Sequence, residues 1–122
     1  KTGVQAVIVI DALAAASLNR LFRVVQVSNA GISPGSGVKN ERKELSHKTL
    51  GIPVFSVGVP TVVDAENLAE ELTNSEILVN TDLILTPKDA DLLAKQISEI
   101  ISTAINMFLH SEKDVETVMK LV

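Results

Sequence analysis

The chain has 122 residues, 46% of them hydrophobic, which suffices for one folded domain with a real core. Its net charge of -4 is mild and its acids are scattered, and with no Trp, no Tyr and three Phe it offers neither a basic face for phosphates nor platforms for stacked bases. Nucleic acid is therefore not expected as a partner. Zero cysteines exclude disulfides, thiolate metal sites and a cysteine nucleophile, and no apolar run approaches the roughly 20 residues that span a bilayer, so no membrane is expected either.

Lys1-Thr2-Gly3 leads directly into an apolar strand, with no signal sequence and no initiator methionine. The expectation is a cytoplasmic polypeptide, either trimmed or the C-terminal part of a longer one, with residues 1–122 forming a single α/β domain. Val7 to Ile10 form a continuous β-branched run, as in a strand buried on both faces of a parallel sheet, and Asp11 then stands at its C-terminal end. Ala12 to Leu21 read as a helix, with Leu13 and Leu21 as core contacts, and Val24 to Val27 as a second strand.

Asn29 to Glu41 hold Gly31, Pro34, Gly35 and Gly37 and predict a tight irregular loop. A third strand, Val54 to Val57, ends at Gly58 and Pro60, after which Thr61 is placed to cap a helix with Asp64 completing a capping box. Leu83 to Leu85 form a short apolar segment. Thr86-Pro87-Lys88-Asp89 then starts a helix whose Ala90, Leu93, Ala94, Ile97, Ile101, Ala104, Ile105 and Phe108 share one face. Ser111 is placed to cap a final short helix carrying Val115, Val118, Met119 and Val122. Strands alternating with helices predict a three-layer α/β/α domain with a mainly parallel sheet.

Two readings of Asp11 compete. As a helix N-cap it contributes about 1 kcal/mol to stability. As half of an aspartic pair it would divide proton transfer with a second carboxylate, because two close acids cannot both ionise. Gly35, Ser36 and Gly37 can present backbone N–H groups to a substrate carbonyl or simply form a tight turn. Asn29 reads as a turn residue, and Asp64 as a stabiliser of a first helical turn or as a second acid. His47 lies among Lys43, Glu44 and Lys48, and His110 ends the long helix. Neither has a metal-ligand companion at useful spacing, and Ser36 has no triad near it in sequence, so no metal or cofactor is expected.

The blocks Asp11-Ala-Leu-Ala-Ala, Ser28 to Ile32, Pro34-Gly-Ser-Gly-Val-Lys-Asn40, Thr49-Leu-Gly-Ile-Pro-Val54, Gly58-Val-Pro-Thr-Val-Val-Asp-Ala65 and Leu85-Thr-Pro-Lys-Asp89 resemble, in order, motifs of the germination proteases. Those are endopeptidases that degrade small acid-soluble spore proteins in endospore-forming bacteria. The resemblance implies a hydrolase of aspartic type with Asp11 as one catalytic residue, a fold similar to that of hydrogenase maturation proteases, zymogen activation, a homotetramer and a spore-core location. It also implies that the second catalytic aspartate lies in an upstream segment outside this chain, so the chain alone is expected to be inactive. Where the resembled pattern has arginine, aspartate and glycine, this sequence has Ala16, Asn29 and Lys39, and a long insert is replaced by Glu66 to Leu85 alone. The rival expectation is a non-catalytic binding or scaffold domain on the same fold.

Overall fold

The structure is a computed structural model that describes residues 3–35, 42–76 and 82–110. The chain divides into two compact units, Lys1–Pro87 and Lys88–Val122. The first is a mixed α/β unit built on β3 (Val54–Asp64), the central strand of a four-stranded sheet. Strand β1 (Val7–Ala15) runs parallel to β3, whereas β2 (Gln26–Ser28) and β4 (Ile84–Leu85) run antiparallel to it. Among the described residues one pairing is parallel and two are antiparallel, so the sheet is mixed rather than mainly parallel.

Two strands are longer than their local sequence suggests. β1 continues through Ala12–Ala15, where a helix was expected, because these residues pair with Val59 to Val63 and bury Ala15. Only a short 3-10 turn, Leu18–Arg20, remains of that helix, and Glu71 Oε2 accepts from the Leu18 N–H at 2.9 Å. β3 in turn runs through Pro60, which sits at an irregularity where the register passes from Leu13↔Pro60 to Ala14↔Val62. A proline within a central strand is tolerated at such a bulge. The local carbonyls find other donors: Pro60 O accepts from the Phe22 N–H at 2.8 Å, and Thr61 O from the Thr86 hydroxyl at 2.8 Å.

Thr61 therefore lies inside β3, and Asp64 itself caps α2 (Ala65–Thr73), accepting from the Glu66 N–H at 2.9 Å. A one-turn helix, α1 (His47–Leu50), precedes β3. Ser46 and Thr49 form its reciprocal capping box and Gly51 closes it at φ 74. In the second unit, α3 (Ala90–Leu109) has Asp89 at its N-cap position, without a capping hydrogen bond from that side chain, and starts later than the Thr86 position expected for its cap. Within its predicted face Ile101 is buried and Ala90, Leu93, Ile97 and Ile105 are half-buried, while Ala94, Ala104 and Phe108 are exposed. The final helix expected after Ser111 lies outside the described residues, and among those described no helix is long and apolar enough to cross a membrane.

Residues paired across a sheet share a face, and successive residues alternate. One face therefore carries Val9, Asp11 and Leu13 of β1, Ser56, Gly58 and Pro60 of β3, and Gln26 and Ser28 of β2. Its β3 residues are all buried. The opposite face carries Ile8, Ile10 and Ala12 of β1, Phe55, Val57 and Val59 of β3, and Val27 of β2; Val59 is buried and Val57 half-buried, while the other five are left bare by the described residues. The β-branched run of β1 implied burial on both faces; the strand alternates half-buried and exposed from Val7 to Ala12 instead.

Candidate active site

Asp11 stands in the middle of β1, opposite Gly58, which is paired on its other side with Gln26. The half-buried carboxylate and the Gln26 amide thus flank a residue that has no side chain. A Cβ on Gly58 would collide with Leu13 Cδ1, so glycine is what allows Leu13 to lie over β3 beside this row. Asp11 Oδ1 accepts from the following Ala12 N–H at 3.0 Å. Since β1 continues past it, Asp11 caps no helix.

The glycine loop is anchored at its base. The Ser28 hydroxyl accepts from the Ala30 N–H at 3.1 Å, and Ser56 donates to Ser28 O at 3.4 Å. Ile32 and Leu45 exchange two backbone hydrogen bonds of 2.9 and 2.8 Å, and the Arg42 N–H donates to Pro34 O at 3.0 Å. Gly31, at φ 89, lies so close to the returning strand that a Cβ would sit 2.6 Å from Leu45 O. Gly35 has φ 78, in the left-handed region that glycine adopts without strain. Ser36, Gly37 and Lys39 lie outside the described residues.

The polarity of β2 decides where this loop leaves the sheet. Because β2 is antiparallel, its last residue pairs at the level of Ser56 and Val9, and the loop departs towards the start of β1 rather than its end. Asp11 and Gly35 are thus not gathered at the C-terminal ends of two parallel strands, the arrangement implied by reading both as strand ends. Asn29 is exposed in the bend after Ser28.

The remaining candidates have structural partners. Asp64 caps α2, six residues beyond Gly58 on β3, or about 20 Å along the strand at the usual rise per residue. That is too far to share a proton with Asp11. His47 opens α1 and His110 follows α3, both exposed, and among the described residues no three His, Asp or Glu side chains gather to hold a metal ion. Gln26 and Gly58 escaped sequence reading, because only the register places them beside Asp11. Ser46 escaped too, although Ser46-x-x-Thr49 followed by Gly51 was a legible one-turn helix.

Among the described residues, then, a half-buried, non-capping aspartate stands on a strand that borders a mixed sheet. The family model described as Germination protease matches residues 1–80. A germination protease of Clostridium tetani is 38% identical over 146 aligned positions, covering 92% of this chain and 45% of the relative. One from Caldanaerobacter subterraneus is 40% identical over 84% of this chain and 42% of the relative. One from a Geobacillus strain is 61% identical over a shorter stretch, 58% of this chain and 19% of the relative. The chain belongs to the germination protease family. It spans less than half the length of the curated relatives it matches.

Proposed function

We propose that this chain is the Asp11-bearing part of an endopeptidase that hydrolyses peptide bonds in small acid-soluble spore proteins by an aspartic-type mechanism. The observation that carries this reading is the position of Asp11: half-buried, within a strand, and relieved of the helix-capping role that would otherwise account for it. The second carboxylate comes from outside this chain, in the segment upstream of it. Among the described residues the outer side of β1 pairs with no strand, so a strand added there would place side chains about 5 Å from Asp11 on the same face.

In the completed site one carboxylate, ionised, takes a proton from water as the oxygen attacks the scissile carbonyl carbon. The other, protonated, donates a hydrogen bond to the carbonyl oxygen, which becomes a hydroxyl in the tetrahedral intermediate. Collapse of that intermediate breaks the C–N bond: the leaving amine takes the proton that the first carboxylate drew from water, and the hydroxyl formed from the carbonyl oxygen returns its proton to the second carboxylate. No cofactor takes part. Gly35, Ser36 and Gly37 contact the extended substrate through their backbone N–H groups. The family resemblance supports a three-layer single domain like that of hydrogenase maturation proteases, activation from a zymogen, a homotetramer and work in the spore core.

Incubation of the chain alone with a small acid-soluble spore protein leaves the substrate intact under this reading. Co-expression with the portion of the Clostridium tetani protease that the chain does not span restores cleavage. Absence of cleavage in both preparations favours the second reading, a scaffold without catalysis. That reading draws on Ala16 and Asn29, which stand where the resembled motifs carry an arginine and an aspartate.

A further inference from the structure

The face of the sheet that the described residues leave largely bare is apolar across three strands. Ile8 and Ile10 on β1 are 38% and 58% exposed, Phe55 on β3 is 43% exposed, and Val27 on β2 is 72% exposed. The register puts Ile10, Val57 and Val27 in one row and Ile8 beside Phe55 in the next, so they form a continuous patch. The same face contains no charged residue within these pairings. Contiguous apolar surface of this kind marks an interaction site. A parallel strand pair ordinarily has both faces covered by helices, and the unbroken run Val7 to Ile10 has the composition of a strand covered in that way.

The curated relatives supply the occupant, since each carries more than half its length outside the stretch that this chain spans. We propose that the face formed by Ile8, Ile10, Phe55, Val57 and Val27 is the seat of an apolar helical face from that remaining portion of a germination protease. This deepens the functional reading above, on which it rests, by naming where the partner segment docks. The docked helix covers one face while Asp11 looks out from the other, so docking holds the partner segment without occupying the position of the substrate.

The test uses the absence of cysteine, which makes an introduced thiol the only one in the chain. Val27→Cys, Ile10→Cys and, as control, Leu72→Cys on α2 are each prepared alone and co-expressed with the remaining portion of the Clostridium tetani protease. Labelling by a soluble maleimide is then followed on this chain by mass spectrometry. Co-purification, with labelling at positions 27 and 10 slowed about tenfold or more and position 72 unchanged, is the expected result. Failure to co-purify, or unchanged labelling at positions 27 and 10, overturns the proposal. So does slow labelling of those two positions in the chain alone with formation of a homodimer, because a second copy then occupies the face. Docking without cleavage leaves this inference standing and defeats the catalytic reading; cleavage with fast labelling at both positions does the reverse.

Discussion

The sequence contains two nearly equivalent passages, Val9-Ile-Asp-Ala-Leu-Ala and Val62-Val-Asp-Ala-Glu-Asn, each running an apolar strand into an aspartate and an alanine. The second does what its local chemistry asks: Asp64 closes β3 and caps α2, with Glu66 in the positive first turn. The first does not. Its strand passes through Asp11 to Ala15, and the aspartate is left within the sheet. Helix propensity favours Ala12 to Ala15 by only a few tenths of a kcal/mol per residue, or about 1–2 kcal/mol in all. Pairing with β3 from Val59 to Val63, at about 1 kcal/mol per net hydrogen bond together with burial of Ala15, outweighs it. After Asp64, Glu66, Glu70 and Glu71 would have to enter the sheet for the strand to continue, so the helix wins there. A residue that reads as a cap in both places is a cap in one only.

The comparison breaks first at Gly58. Replacing it with valine drives a side chain into Leu13, the residue that fastens the second half of β1 over β3. Urea unfolding of Gly58→Val is expected to show a loss of about 2–3 kcal/mol. Adding Leu13→Ala recovers part of it, because the collision is removed; strictly additive losses would show that Leu13 does not hold β1 in this way.

Smaller effects separate the two aspartates. Asp64→Ala removes the cap on α2 and lowers stability by about 1 kcal/mol, whereas Asp64→Asn, which can still accept from the Glu66 N–H, stays within a few tenths. Equal losses for both variants would mean that charge rather than the cap hydrogen bond matters. Asp11→Asn shifts stability by less than about 0.5 kcal/mol, as expected for a half-buried residue that caps nothing. A full cap-sized loss there would restore a helix beginning at Ala12.

Family membership was legible in the order of the motifs, the α/β class in the alternation of strands and helices, and α3 in the spacing of its apolar residues, because helix periodicity is local. Asp64 as a stabiliser of a first helical turn was legible for the same reason. The direction of β2 was not. Three residues, Gln26–Ser28, carry no mark of polarity, yet their antiparallel pairing sends the glycine loop away from the end of β1. Nor could the passage of β3 through Pro60 be read, since it depends on a bulge and on donors from Phe22 and Thr86, far away in sequence. One-sided burial of β1 contradicts its composition, and that mismatch located the bare face. Of the candidate site, Asp11 was visible as a residue, but its neighbours Gly58 and Gln26 follow from register alone.

The most direct test of the central claim is single-turnover cleavage of a small acid-soluble spore protein by the co-expressed complex. It is measured for the parent, Asp11→Asn and Asp64→Asn on preparations whose thermal melting is matched. Asn keeps the size and hydrogen-bonding capacity of Asp but cannot act as a base near neutral pH. The account predicts that Asp11→Asn lowers the rate by about a hundredfold or more while Asp64→Asn leaves it unchanged. Near-parental turnover by Asp11→Asn would contradict it.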